Sequence, residues 1–203
     1  VRTVDGKLVG LDSQKQGERL WVYERTVPLL TLRGTSAPII VQGRIIAGFD
    51  NGKLAALDLH TGKLLWEATV AVSQGRTELE RMVDIDADPI VVDNIIYVSS
   101  YQGHTVAVEL ERGQLLWKHE VSSYAGLGVD IENLYVSDAK SHLWALRRDS
   151  GASFWKQEKL QARNITAPVA LGNYVVVGDL EGYLHWMRRD DGQLVARYSI
   201  GHN

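Results

Sequence analysis

The sequence predicts an all-β fold, a partial β-propeller of about four and a half four-stranded blades. Three observations support this prediction. A motif recurs along the chain with a period of roughly 40–45 residues, which is the range of propeller blades. The segments between turn residues are short and rich in β-branched residues. Several of them are also apolar without alternation, and no 3.6-residue periodicity suggests a helical solenoid.

The repeat is clearest in residues 51–66, which have the pattern of a strand, a turn and a second strand ending on tryptophan. The column of Gly52 contains Gly6, Gly103, Ser141 and Gly182. The column of Gly62 contains Gly17, Gly113, Gly151 and Gly192. The column of Trp66 contains Trp21, Trp117, Trp155 and, in the last copy, Ala196. A further column joins Pro38 to Pro89, Leu127 and Pro168, and all four columns keep one register.

Each copy shows the same order of strands and turns. We predict a single domain over residues 1–203, with a half blade at 1–25 and blades at approximately 37–72, 88–121, 126–158 and 167–200. The predicted strands are 39–41, 44–49, 53–58, 64–68, 90–92, 94–99, 105–110, 115–118, 133–137, 143–147, 153–156, 169–171, 174–178, 183–188 and 194–198. Residues 1–3 align with the end of a strand, so we expect the natural protein to have a preceding part and the blades to belong to a larger ring.

The strands also indicate what surrounds them. Residues 95–98 and 175–177 are apolar at successive positions, whereas a sheet with one wet face alternates apolar and polar residues. Both faces are therefore expected to be covered, as they are when blades stack. We interpret the tryptophan column as packing between blades rather than ligand binding. Ala196 predicts looser packing in the last copy.

Composition excludes several classes of function. A net charge of -3 provides no electrostatic footprint for nucleic acid or an anionic membrane. The chain has no cysteine, which excludes disulfides and thiolate metal sites. No apolar run of about 18 residues is present, and no signal peptide is visible.

Motifs for catalysis or metal binding are not found. The chain has no nucleophile elbow, P-loop or HExxH motif. Its six histidines lack metal-ligand spacing, and His104 and His142 are interpreted as surface residues. The acidic run that ends at Asp88 resembles a calcium loop, but Pro89 replaces its glycine and Ile95 its bidentate glutamate. We therefore expect no enzyme activity, no metal and no cofactor.

The connectors that lead into the blades carry the candidate binding residues. Arg33, Asp84 and Arg163 each lie five residues before the column position of Pro38. Equivalent positions in successive blades lie at the same end of a propeller, so we expect Arg33 and Asp84 to be neighbours beside Leu30 and Leu32. Two interpretations remain open. The leucines could cap the blade core while Arg33 and Asp84 form a surface ion pair worth about 0–1 kcal/mol, or the cluster could be a docking patch with apolar anchors and a polar rim.

Residues 56–66 resemble the tryptophan-docking repeat of quinoprotein-type propellers. Across most of its length, the chain is similar to the BamB family of outer-membrane assembly lipoproteins. The segments that carry this resemblance are 30–38, Leu-Thr-Leu-Arg-Gly-Thr-Ser-Ala-Pro, together with 77–86 and 177–186. The resemblance implies a non-catalytic, eight-bladed scaffold of the BAM complex on the periplasmic side of the outer membrane. Such a scaffold binds the POTRA region of BamA and helps β-barrel proteins to fold and insert.

The resemblance also implies which residues bind the partner. Carried over one by one, the BamA-contacting positions of the family are Leu30, Leu32, Arg33, Asp84 and Asp86. Unfolded outer-membrane proteins are a further expected partner. The lipidated cysteine of the family is absent from these 203 residues and about half of the expected blades are present, so membrane anchoring and ring closure are not expected of this chain.

Two other functions and one mode of assembly stay open. A quinoprotein dehydrogenase fragment would place carboxylates on the inner strands, but the inner segments 39–41 and 169–171 are apolar. A generic extracytoplasmic interaction propeller would bind another partner. Open blade edges at Val1 and near Asn203 could also pair with a second copy of the chain.

Overall fold

The computed structural model describes residues 1–3, 6–25, 36–49, 52–71, 84–85, 87–101, 103–123 and 125–201. Its strands are β1 Leu8–Asp12, β2 Glu18–Tyr23, β3 Ile39–Val41, β4 Arg44–Gly48, β5 Lys53–Asp58, β6 Leu64–Thr69, β7 Ile90–Val92, β8 Ile95–Ser99, β9 Thr105–Glu109, β10 Leu115–His119, β11 Leu127–Val129, β12 Asn133–Ser137, β13 Leu143–Arg147, β14 Ser153–Gln157, β15 Val169–Leu171, β16 Tyr174–Gly178, β17 Tyr183–Arg188 and β18 Leu194–Ser199. Among the described residues, no helix is long and apolar enough to cross a membrane.

The strands form one two-stranded sheet and four four-stranded antiparallel sheets, each following the order of the chain. We call them blade 1 (β1–β2), blade 2 (β3–β6), blade 3 (β7–β10), blade 4 (β11–β14) and blade 5 (β15–β18). The inner strand β11 lies against both β7 and β15, so successive sheets fan out around a common axis. The all-β, partial propeller predicted from the sequence is confirmed. The division into a single domain with fixed blade boundaries stays a prediction.

Strand β11 is absent from the sequence prediction. It is only three residues long and has Gly128 at its centre, and a glycine inside a strand weakens the local signal. The neighbouring blade explains the glycine, because a Cβ at this position would run into the carbonyl oxygen of Pro168. The close approach of the two inner strands therefore requires glycine at position 128. Because glycine is uncommon inside strands, the same residue weakens the sequence signal for β11.

The apolar core is divided into four clusters, each between two successive blades. Between blades 2 and 3, for example, Ile46 and Leu54 pack against Ile96 and Val108, and all four are fully buried. In blades 2, 3 and 4 each central strand contributes to the clusters on both of its sides, whereas the central strands of blade 5 contribute only to the cluster shared with blade 4. The expectation that both faces of the sheets are covered thus holds for blades 2–4, where it explains the lack of alternation in the strands, whereas one face of blade 5 is not covered by any described residue.

The tryptophan column forms a repeated contact between blades. The four indole Nε1 groups donate hydrogen bonds of 2.7–3.0 Å to carbonyl oxygens in the following blade. The pairs are Trp21 to Leu59, Trp66 to Leu110, Trp117 to Arg148 and Trp155 to Arg189. Each acceptor lies three residues before a turn glycine against which the same indole ring packs. The structural interpretation of the tryptophans is confirmed.

The turn glycines of this contact are required for two reasons. Gly62 has a φ of +67°, which is strained for a residue with a side chain. A Cβ added to Gly62 would also lie 2.5 Å from the ring of Trp21. The recurring tryptophan and glycine of the sequence therefore contact each other, the tryptophan of one blade packing on the turn glycine of the next.

A β-bulge occurs beside the tryptophan position in the outer strand of every blade. In blade 2, Ala56 pairs with Trp66 while Leu57 pairs with Leu64, so Leu65 has no partner in the register. The bulged residues are Leu20, Leu65, Leu116, Phe154 and Val195. A bulge interrupts the hydrogen-bonding edge of an outer strand and protects it from pairing with another chain.

Candidate docking surface

The connectors between blades and the turn between the second and third strands of each blade lie at the same end of the molecule. This follows from the order of the four strands, because a chain that crosses a sheet four times leaves it at the end where it entered. We call this end the connector end. It is the end to which the sequence assigned its candidate binding residues.

Only one of the five predicted site residues is described by the structure. Leu30, Leu32, Arg33 and Asp86 lie outside the described residues. Asp84 is described and its side chain is almost completely buried, with a relative exposure of 1%. In this position, Asp84 is suited to holding the connector in place rather than to touching a partner directly.

The backbone around Asp84 confirms the alignment of connectors. The amide of Tyr101, in the second turn of blade 3, donates a hydrogen bond of 2.8 Å to the carbonyl oxygen of Asp84. In blade 5 the equivalent amide of Leu180 donates a bond of 3.1 Å to the carbonyl oxygen of Arg163. Asp84 and Arg163 therefore occupy the same place in their blades, as the sequence predicted from their distance to Pro89 and Pro168.

The connectors before blades 2 and 3 are in direct contact. The amide of Ala37 donates a hydrogen bond of 2.5 Å to Oδ1 of Asp88. Ile85 is buried at 1% exposure, and a Cβ on Gly48 of blade 2 would collide with its side chain. The parts of the two connectors that the structure describes thus form one continuous surface, which is the arrangement that the docking interpretation needs.

A cluster of charged and aromatic groups borders this surface on blades 1 and 2. The Glu67 carboxylate forms ion pairs with Nη1 of Arg25 at 2.6 Å and with Nζ of Lys53 at 3.2 Å. Burial raises the pKa of the Glu67 carboxyl, but the hydrogen bond from Lys53 and the charge of Arg25 outweigh it and lower the pKa below its usual value. The guanidinium groups of Arg2 and Arg25 lie 5.7 and 4.8 Å from the ring centre of Phe49.

Blade 5 holds a second charged cluster at the connector end. Asp179 Oδ2 lies 2.7 Å from Nε2 of His185 and 2.7 Å from Nη1 of Arg163. The Asp179 and His185 side chains are 0% and 2% exposed. Burial raises the pKa of the Asp179 carboxyl, but hydrogen bonds from His185, the Tyr183 amide and Arg163 reverse this effect and lower the pKa to about 2.

The interpretation of His142 as a surface residue is wrong. Its relative exposure is 7%, and its Nδ1 lies 3.0 Å from Oδ2 of Asp138. The indole of Trp144 donates to the same oxygen at 2.9 Å. Asp138 and Asp179 both begin a second turn and both contact a histidine, but His142 lies four residues after its aspartate and His185 six, so the two pairs share no spacing that the sequence could have revealed.

The opposite end of the molecule carries two polar clamps between blades, which sequence analysis missed. Arg148 of blade 4 donates to Asp93 of blade 3 at 2.8 Å and to the hydroxyl of Tyr97 at 3.2 Å. The same pattern recurs one blade further on, with Arg189, Asp130 and Tyr135. The signal that could have revealed the clamps is the pair of arginines located three residues before Gly151 and Gly192. These clamps hold blades together and lie away from the connector end.

The groups that the structure describes at the connector end are apolar, guanidinium and carboxylate side chains. Within the described part of the chain, no group of three or more His, Asp or Glu side chains is placed to hold a metal ion. The inner strands β3, β7, β11 and β15 consist of Ile, Val, Leu, Ala and Gly. The surface offers apolar contacts, guanidinium donors and carboxylate acceptors.

Five sheets arranged around an axis and joined by tryptophan–glycine contacts define a β-propeller of the quinoprotein repeat type. The model of the family described as outer membrane protein assembly factor BamB matches residues 1–157. The chain belongs to the BamB family.

Individual relatives agree with this assignment. Outer membrane protein assembly factor BamB of Yersinia pestis is 40% identical over 200 residues, which are 98% of this chain and 51% of that protein. The crystal structure of BamB from Moraxella catarrhalis superposes with a TM-score of 0.89 at 30% identity, covering 96% of this chain and 59% of that one. A europium-containing methanol dehydrogenase shares the fold, with a TM-score of 0.73 at 16% identity over 97% of this chain and 48% of that one. The chain spans about half the length of the curated relatives it matches.

Proposed function

We propose that this chain is part of a non-catalytic scaffold that assists the assembly of outer-membrane proteins on the periplasmic side of the outer membrane. Its partner in this proposal is the POTRA region of BamA, which docks at the connector end. Membership of the BamB family supports the assembly role. The single observation that carries the docking site is the contact of two successive connectors through Ala37 and Asp88.

The proposed mechanism is positioning of the partner. Leu30 and Leu32 bury apolar surface against it, and the guanidinium of Arg33 donates hydrogen bonds to its carbonyl or carboxylate groups. The buried Asp84 orients its connector through the carbonyl that accepts from Tyr101. Asp86 accepts from backbone amides of the partner or orients Arg33. Unfolded outer-membrane proteins are further candidate clients of the same scaffold.

The test is affinity measurement with the purified POTRA region. We expect Leu32→Ala and Arg33→Ala each to weaken binding by about 1–2 kcal/mol, or roughly 5- to 30-fold, because central anchors dominate the energy of an interface. The melting temperature should stay nearly unchanged. Leu116→Ala is the matched control, since Leu116 is a half-exposed leucine on the outer strand of blade 3. Unaltered binding by both Leu32→Ala and Arg33→Ala would show that the site is wrongly assigned.

The competing functions make different predictions. A quinoprotein dehydrogenase would gain an absorbance band on addition of the quinone and calcium, whereas the apolar inner strands lead us to expect none. An interaction propeller with another partner would fail to retain the separated POTRA domains on an affinity column. Retention of at least one POTRA domain is the expected result.

A further inference from the structure

We propose that the turn around Leu180 in blade 5 is a second docking element for the same partner, at some distance from the connectors before blades 2 and 3. This inference rests on the proposed function, because it assigns additional residues to the surface that the POTRA region would occupy. No residue of blade 5 belongs to the site predicted from the sequence.

Leu180 is a large apolar residue held out into solvent by an ordered turn. Its relative exposure is 78%. The turn joins β16 to β17, and its backbone is bonded on each side. The amide of Leu180 donates to Arg163 O at 3.1 Å, the amide of Asp179 donates to Tyr183 O at 2.8 Å, and the amide of Tyr183 donates to Asp179 Oδ1 at 2.9 Å. Because these bonds already hold the backbone of the turn, the turn itself does not have to be ordered when a partner covers Leu180.

The charged cluster below the turn provides further contacts to its two ends. The Asp179 carboxylate is completely buried and lies within 2.7 Å of both His185 and Arg163. Arg163 also pairs with Glu181 at 2.8 Å. Both carboxylates contact the same Nη1 atom of Arg163, and in the described part of the chain no hydrogen-bond partner is found for its Nη2 or Nε.

The free donors of Arg163 define the chemistry of the occupant. The side chain of Arg163 is 26% exposed, so part of it is open to a partner. A surface that places an apolar group on Leu180 and carbonyl oxygens next to it would satisfy both features, whereas a carboxylate would be repelled by Glu181. The proposed anchors Leu32 and Arg33 are likewise a leucine beside an arginine, so both elements of this chain would bind the same kind of partner surface.

The position of the turn links it to the connector surface. Leu180 and Tyr101 donate their amides to equivalent carbonyls, those of Arg163 and Asp84. Both turns therefore lie at the connector end, at corresponding places in blades 5 and 3. Tyr101 is half-buried, and the equivalent residue of blade 4 is the small Ala139. Among the second turns that the structure describes, the turn of blade 5 is the one that presents a large, mostly exposed aliphatic side chain.

The experiment compares Leu180→Ser with Ile131→Ser in binding to the purified POTRA region. Ile131 is a matched control because it is an aliphatic residue, 87% exposed, in the turn between β11 and β12 at the opposite end. We expect Leu180→Ser to weaken binding about 5- to 30-fold and Ile131→Ser to change it less than about twofold. Melting temperatures of both variants should match the parent chain, since neither side chain is buried. Arg163→Gln provides a second variant and should also weaken binding.

Including Leu32→Ala and Arg33→Ala in the same series separates the two proposals. If Arg33→Ala weakens binding and Leu180→Ser does not, the second element is wrong and the proposed function stands. If Leu180→Ser weakens binding and neither Leu32→Ala nor Arg33→Ala does, blade 5 is confirmed as a docking element and the connector assignment is wrong. If none of the three variants differs from the parent chain, both proposals are overturned. Equal weakening by Leu180→Ser and Ile131→Ser would also contradict the second element.

Discussion

The Asp179 carboxylate shows how single residues of this chain depend on their partners. A buried carboxylate is costly unless hydrogen bonds and positive charge compensate for its lost hydration. Here His185, Arg163 and the Tyr183 amide provide that compensation. The result is a turn whose geometry depends on one ionised group, and which in turn presents Leu180.

The stability of the chain should therefore depend on the ionisation of Asp179. Its pKa is lowered from 3.8 to about 2 on folding, so the ionised form stabilises the folded state fully above pH 3.8. That contribution, about 2 kcal/mol, should be lost as the pH falls from 3.8 to about 2. In urea melts, the difference in unfolding free energy between the parent chain and Asp179→Asn should shrink over this range. A difference that stays constant from pH 5 to pH 2 would contradict the assignment.

At the scale of elements, the contact between one blade and the next is built from an indole and a glycine. The indole of Trp155 donates to Arg189 O at 2.8 Å and its ring covers Gly192. Gly17 is the equivalent turn glycine of blade 1, with a φ of +81° and no heavy atom within 4 Å of an added Cβ. Gly17 and Gly192 thus share a backbone conformation, but only Gly192 is covered by a tryptophan ring.

This difference allows the contact to be measured. Gly17→Ala should cost only the strain of a positive φ, about 1–2 kcal/mol. Gly192→Ala carries the same strain, and in addition its Cβ would lie 2.5 Å from the Trp155 ring. Overpacking adds about 1–3 kcal/mol, so Gly192→Ala should destabilise the chain more in denaturant-induced unfolding. Equal losses for the two variants would show that the ring moves aside without cost.

At the scale of the whole molecule, blade 5 has an apolar surface that no described part of the chain covers. Val169, Leu171, Tyr198 and Ile200 are each between 60% and 64% exposed. Surfaces of this kind drive association when another chain can cover them. The prediction that copies of the chain associate through open blade edges is consistent with this exposure.

Association should appear as a mass that rises with concentration in analytical ultracentrifugation. Tyr198→Lys should shift the distribution toward the monomer, because burying a lysine in the contact costs its hydration. Lys118→Glu, a charge change on the outer strand of blade 3, is a control that should leave the mass unchanged. A strictly monomeric chain at all concentrations would disprove the prediction.

Much of the fold follows from the sequence because propeller repeats are local. Strands and turns recur within each copy and the tryptophan in four of the five copies, so one register predicts most of them, with β11 as the exception. The column that aligned Asp84 with Arg163 also predicted that both take the same place at the connector end, which their backbone hydrogen bonds confirm. The docking role of Leu30, Leu32, Arg33, Asp84 and Asp86 stays a prediction.

The tertiary structure decided what depends on contacts between copies. Arg148 reaches Asp93 across 55 residues, and although the repeated arginine marks one end of this pairing in the sequence, the identity of its partner follows only from the packing of the blades. The absence of a predicted β11 has the same origin, since Gly128 is required by the backbone of Pro168 in the next blade. A repeated motif determines where side chains point along its own sheet. How much a charged side chain or a glycine contributes to the free energy of unfolding, however, depends on the atoms that the next blade places against it.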